Sequence, residues 1–313
     1  MEKPAEFVDL ERYPITSLES ARGRALVSDI QNRMAASCIC ALPGFLRPEA
    51  LVRMVAEAEA LEPMSHIGPT EASPYFFNYG TTGELNALPP NHPRKRKTPR
   101  NMRQIARDLI PPGTAIMLLY HWDGLTRFLA AATGAQSLYR SADPFQALNI
   151  SVMDEGGCQQ WHFDTNEVAI TLLLQAPAAG GEFEYVPLIR SAENENYEAV
   201  KRVLDGDRDG VVQLSQEAGM LILFKGHRSL HRVAPVRGTR RRFQSILTYN
   251  PRPGVVGSLE SSILHYGPRV KTARCDGRIE SDIADGTPRL VTLGTLLDWS
   301  GQQSPTHVCQ SGC

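Results

Sequence analysis

Apolar positions along the chain change period near residue 145. Before it they recur at helical spacing. Leu18, Ala21, Ala25, Leu26 and Ile30 predict a helix over 18–36, and Leu51, Met54, Val55, Ala58 and Leu61 predict a second, with Pro48 at a first-turn position. Between them, Cys38-Ile-Cys-Ala-Leu-Pro-Gly-Phe reads as a short buried strand entering a turn. Helical spacing returns over 102–109 and 122–132. The stretch 63–100 has no period, is rich in Pro, Gly and Asn, and contains Tyr75-Phe-Phe-Asn-Tyr-Gly. So long an aperiodic segment in a compact domain predicts a lid or a binding loop.

From Phe145 the pattern alternates, which places Ala147, Asn149, Ser151 and Met153 on one face of a strand. Further strands are predicted over 168–175, 182–187, 211–214, 220–224 and 243–249, with a charged helical excursion over 191–209. Short strands separated by Gly and Pro turns predict a sandwich or a double-sheet jelly roll. The expected organisation is a single α+β domain. Residues 1–140 form a helical flank with a substrate lid, 141–255 the β core, and 256–313 a C-terminal extension. In that extension Val291, Leu293, Leu296 and Leu297 are expected to pack on the core or on a partner; oligomeric state is left open.

Net charge is −1, so nothing global favours nucleic acid or an anionic membrane, and the basic runs Arg94–Lys97 and Arg240–Arg242 need local explanations. No stretch reaches the roughly 18 apolar residues of a membrane span. The N-terminus lacks a signal-peptide layout. The cysteines do not form a disulfide framework: Cys38 and Cys40 read as reduced core residues, and Cys309 and Cys313 lie in a polar tail. The expectation is a cytoplasmic protein.

The chemistry centres on Trp161-His162-Phe163-Asp164 and Ser229-Leu230-His231-Arg232-Val233. On a strand, residues two apart leave the same face, so His162 and Asp164 can close on one metal ion, with His231 as the third ligand. Two histidines and one carboxylate leave positions open, as expected of a non-haem Fe(II) that binds an oxidisable co-substrate and O₂. His227 competes with His231 but lies in a polar turn, whereas His231 begins an alternating run. An arginine on the following strand could grip the far carboxylate of a dicarboxylate co-substrate bidentately. Arg242 precedes the run Phe-Gln-Ser-Ile-Leu-Thr-Tyr and is preferred, with Arg240 in reserve. Asn149 and Ser151 either contact co-substrate oxygens or make buried structural hydrogen bonds. Cys158 reads as a small buried thiol rather than a ligand. Arg94, Arg96 and Arg100 are either solvated charges or holders of a substrate carboxylate.

Gln160-Trp-His-Phe-Asp-Thr-Asn-Glu-Val-Ala-Ile-Thr-Leu-Leu-Leu-Gln, Gly180-Gly-Glu-Phe-Glu-Tyr-Val-Pro, Glu195-Asn-Tyr-Glu-Ala-Val and Ser229-Leu-His-Arg-Val-Ala-Pro-Val together resemble the Fe(II)/2-oxoglutarate-dependent enzymes that hydroxylate or halogenate free amino acids. The likeness is strongest over 110–250. It implies a double-stranded β-helix, with Fe(II), 2-oxoglutarate and O₂ as cofactors and succinate and CO₂ as products. It assigns iron to His162, Asp164 and His231 and the 2-oxoglutarate carboxylate to Arg242. In halogenating members of this group the acidic position is Gly or Ala; Asp164 here implies hydroxylation instead. Gln159 and Thr165 match positions used for substrate, as does Tyr266 less closely. The implied substrate is a free amino acid or a related small molecule. Desaturation or ring closure by the same cofactors, and a non-catalytic sensing jelly roll, are the alternatives. A zinc hydrolase with the same ligands would leave Arg242 without a role.

Overall fold

The alternating stretches pair into two antiparallel sheets that face each other in a jelly roll, as seen in a computed structural model that describes residues 3–76 and 82–271. The C-terminal apolar residues 291–297, with Cys309 and Cys313, lie outside the described residues. The larger sheet runs from edge to edge through Ile39–Leu42, Leu221–Phe224, Ala169–Gln175, Arg242–Leu247, Leu148–Met153, Arg103–Ile105 and His66–Ile67. The smaller runs through Val212–Leu214, Phe183–Val186, Leu230–Val233, Cys158–His162, Thr98–Asn101 and Glu71–Ala72.

Each sheet face has its own partner. On the outer face of the larger sheet, Leu148, Ile150, Val152, Leu172, Leu174, Leu221, Leu223, Phe243 and Leu247 pack against the helices Ala21–Ser37, Pro48–Leu61, Ala115–Tyr120 and Asp123–Thr133. Each large apolar side chain withdrawn from water there contributes roughly 1.5–3 kcal/mol. Between the sheets a smaller cluster joins Ile39, Ala41, Met153, Ile222 and Phe224 to Phe183, Tyr185 and Val233, with Phe183 and Phe224 edge to face at 5.1 Å. Polar side chains also meet between the sheets, where Arg100 of the smaller sheet reaches Gln104 and, through it, Asn149 of the larger; the space they border is the chamber.

The first two helices follow the sequence. The helix Ala21–Ser37 starts at Ser20, whose hydroxyl accepts from Gly23 N–H. Gly23 has no room for a side chain, since a Cβ there would meet the Ser17 carbonyl oxygen at 2.2 Å. Pro48 opens the second helix.

Two expectations are corrected. The stretch 102–109 is not an α-helix. Arg103–Ile105 is a strand paired with Leu148–Met153, followed by a 3₁₀ turn over Arg107–Leu109. Helical spacing of Met102, Ile105 and Leu109 is overridden by strand pairing and by Arg103, which bridges Glu62 and Asp154. Nor is 63–100 wholly a covering loop. Its His66–Ile67, Glu71–Ala72 and Thr98–Asn101 segments extend the sheets, so much of it is chamber wall. Among the described residues no helix is long and apolar enough to cross a membrane.

Candidate metal centre

His162 ends one strand and His231 lies on its neighbour, in direct register. Their rings come to 4.1 Å between centroids. Each Nδ1 is held by a backbone carbonyl, His162 by Gln160 at 2.8 Å and His231 by Ser229 at 2.9 Å. That bond selects the Nδ1–H tautomer and turns each Nε2 lone pair toward a shared locus, where Gln159 Nε2 already meets that of His162. Asp164 completes the group: its Oδ1 lies 3.5 Å from His231 Nε2 and 4.0 Å from His162 Nε2. All three ligand atoms fall within 4.8 Å of one another. Ligands about 2.1 Å from one ion and at right angles stand about 3 Å apart, so a divalent metal needs only a small closing movement.

The strand alone does not position the acid, because it stops at His162 and Asp164 is in the loop beyond. Asp164 N–H donates to the Gly226 carbonyl and its own carbonyl faces His227 Nδ1 at 3.2 Å. Gly226 packs so closely that a Cβ there would overlap the carboxylate. Electrostatics favour metal binding. Burial and the neighbouring His231 push His162 down to about 3, so it is neutral across the physiological range. Burial pushes the Asp164 carboxyl up, but the neighbouring His231 leads the influences that outweigh it and hold it below its usual value.

Opposite residues in an antiparallel pair share a face. Arg242 opposes Met153, and Ser151 is flanked by Gln244 and Gln104, so these side chains line the chamber from the larger sheet. Arg242 is 1% exposed; one terminal nitrogen donates to Gln216 Oε1 at 2.8 Å, and its Nε has no partner. Burial lowers its pKa to about 10. A buried cation with unsatisfied donors is costly unless an anion meets it, and here no acid pairs with it among the described residues. Ser151, two residues from Met153, is buried beside it.

A second unpaired arginine lies across the chamber. Arg100 opposes Gln159 on the smaller sheet and is 3% exposed, and its Nε and one terminal nitrogen lack partners among the described residues. Its other terminal nitrogen donates to Gln104 Oε1 at 3.3 Å, and Gln104 in turn donates to Asn149 Oδ1 at 3.5 Å. Asn149 therefore belongs to the Arg100 side of the chamber, two register steps from Arg242. Gln159 Nε2 stands 3.0 Å from His162 Nε2, at the rim of the metal position. Phe76 presents an edge contact to both His162 and His265, at 5.4 and 5.9 Å.

The remaining sequence candidates lie elsewhere. Arg240 is exposed and precedes the strand, which begins at Arg242. Arg96 is engaged by Asp205 at 2.6 Å. Arg94 sits beside Tyr75 and Tyr197, behind Phe163. Thr165 is exposed next to Asp164. Tyr266 packs in a small satellite core with Phe145, Ala106 and Val270, while the preceding His265 takes the position toward Phe76. Cys158 is a buried free thiol outside the ligand group. The burial of Arg100 was hidden by its place in a basic run; the signal was Thr98-Pro-Arg-Asn as a strand, which puts Arg100 on the opposite face from Pro99 and Asn101.

Comparison with known proteins gives one family match: the Halogenase D (HalD) family over residues 91–255, a little over half of the chain. No curated protein matches. Among solved structures the chain is similar to AviO1 from Streptomyces viridochromogenes Tue57, at 16% identity over 71% of this chain and 93% of that one, with a TM-score of 0.48. It is also similar to an oxidoreductase of the 2OG-Fe(II) oxygenase family from Burkholderia pseudomallei (17% identity; 73% and 92% covered; TM-score 0.46). A prolyl-4-hydroxylase from Pseudomonas putida is a third (14% identity; 71% and 98% covered; TM-score 0.43). At these levels the three stand as distant likenesses.

Proposed function

Because the chain belongs to the Halogenase D family and is an Fe(II)/2-oxoglutarate oxygenase, we propose that it hydroxylates an unactivated C–H bond of a free amino acid or a closely related small molecule. Succinate and CO₂ are the co-products. The observation that carries this reading is the Asp164 carboxylate, in place beside both imidazoles. Halogenating enzymes of the kind this chain resembles have Gly or Ala at that position, which leaves room for a halide. Here the acid takes it.

In this reading His162, Asp164 and His231 hold Fe(II). Arg242, oriented by Gln216, takes the far carboxylate of 2-oxoglutarate, with Ser151 and Gln244 beside it. Arg100, its charge unmatched and its amide neighbours Gln104 and Asn149 in line, takes the carboxylate of the substrate. Two buried cations thus serve two carboxylates at different sides of one chamber. When bound, iron with 2-oxoglutarate and O₂ supplies the oxidising power for the C–H bond. The chain does the rest. Strand register keeps the two Nε2 atoms converging, the paired sheets and Phe76 keep water out, and Gln159 meets polar ligands at the metal rim. Cys38, Cys40 and Cys158 are all buried free thiols, which supports a reducing, cytoplasmic setting.

The test is succinate release by anaerobically Fe(II)-loaded protein given 2-oxoglutarate and air, across a panel of free L-amino acids, with mass analysis. The expected result is one amino acid that raises succinate and gains one oxygen atom. A product lighter by two hydrogens would replace hydroxylation by desaturation or ring closure, and a chlorinated product would overturn the role given to Asp164. Bound 2-oxoglutarate without turnover on any amino acid would count against a free amino-acid substrate.

A further inference from the structure

We propose that Arg190 is a positioning residue that clamps the Asp164 loop to the turn before His231 and so holds the Asp164 carboxylate against the histidine pair. The proposal rests on the metal assignment above. His162 and His231 are set by strand register, but Asp164 is not; its backbone is tied to Gly226 and His227, and Arg190 adds a side-chain link between the same two segments. Arg190 touches both. Its guanidinium carbon lies 3.9 Å from the centroid of Phe163, the residue between the two ligands of the first loop. Its Nε donates to the His227 carbonyl at 2.7 Å, in the second loop. His227 in turn faces the Asp164 carbonyl.

The neighbouring backbone repeats the connection. Arg190 N–H donates to the Arg228 carbonyl, and Leu188 N–H donates to the Ser229 hydroxyl. The Ser229 carbonyl is the one that orients His231. Glu195 accepts from Arg190 at 3.0 Å and sets the plane of the fork. Arg190 is 5% exposed and also lies 5.5 Å from the Tyr75 ring. A planar cation that stacks and donates sideways at once is a task for Arg that Lys does not reproduce.

Packing alone would also bury an arginine here, so the test must separate the two roles. Co(II) binding to the apoprotein, followed by its visible absorption, is measured for wild type, Arg190→Met, Asp164→Ala and the double variant. Groups that orient metal ligands typically contribute 10–100-fold in affinity; the expectation is about tenfold weaker binding for Arg190→Met. Because the effect runs through Asp164, it should shrink to less than about twofold in the Asp164→Ala background. Equal loss in both backgrounds, or no loss in wild type, overturns the proposal. Arg190→Lys should bind as weakly as Arg190→Met; full affinity there would overturn it too. If Arg190→Met does not fold, Phe163→Leu carries the same cycle. Failure of the wild type to bind Co(II) would instead bring down the metal assignment itself.

Discussion

Replacing Arg242 with methionine separates a co-substrate anchor from a structural arginine. Arg242 is buried among side chains of the larger sheet, with Gln216 as its hydrogen-bond partner among the described residues. Burial lowers its pKa from 12.5 to about 10, so keeping it charged in the free protein costs about 3 kcal/mol. The bond to Gln216 returns about 1.5–3 kcal/mol. Arg242→Met should therefore leave the free protein as stable as wild type, or up to about 1.5 kcal/mol more stable. With metal and 2-oxoglutarate at a hundred times Kd, wild type gains about 2.7 kcal/mol. That is a rise of about 4 °C in Tm for a chain of 313 residues. Loss of a buried charge partner weakens binding by about 2–5 kcal/mol. At the same concentration the variant should then gain less than about 1 kcal/mol. Anaerobic thermal melts with and without 2-oxoglutarate read both quantities. A variant that keeps the wild-type rise would remove Arg242 from the co-substrate site, and a free variant that melts far lower would make it structural.

Asp164→Gly should abolish hydroxylation and weaken Co(II) binding; full succinate-coupled hydroxylation in that variant would take Asp164 out of the ligand set. Arg100→Met should raise the substrate KM by about 30-fold or more, the scale of a lost buried charge partner, and leave the Kd of 2-oxoglutarate unchanged. A shift in the latter would put Arg100 on the wrong ligand. Burial pushes the Cys40 thiol up to about 11, so iodoacetamide at pH 8 should label it only in unfolded protein, as peptide mass mapping would show. Glu184 is held below its usual value, because Arg208 and Arg232 outweigh burial, which pushes it up. Its contribution is present at neutral pH and lost as pH falls through the carboxylate range. Glu184→Gln should accordingly cost about 1–2 kcal/mol at pH 7 and converge with wild type in acid melts.

What could be read in advance follows the range of the interactions involved. Residue type singled out His162 and His231 as candidates, and the run Phe-Gln-Ser-Ile-Leu-Thr-Tyr after Arg242 singled out that arginine. The structure brings the two histidines together and starts a strand at Arg242, and their roles are those proposed above. The helices Ala21–Ser37 and Pro48–Leu61 were visible from local periodicity and a first-turn proline. Arg103–Ile105 was not, since its strand identity comes from pairing with residues about 45 positions away. Arg100 and Arg96 look alike in a basic run, yet one is buried opposite Gln159 and the other meets Asp205. Only the register of the smaller sheet tells them apart. Arg190 carried no motif at all, because its task depends on two loops that meet in space.

Placing the acid one step past the end of its strand has an evolutionary side. Both imidazoles are written into the pairing of two strands, and to move either is to disturb the sheet. The carboxylate is carried by the loop beyond the strand, outside the ladder. On the proposed reading, exchange of that one side chain would change the iron's ligand set without disturbing the pairing of the two histidine strands.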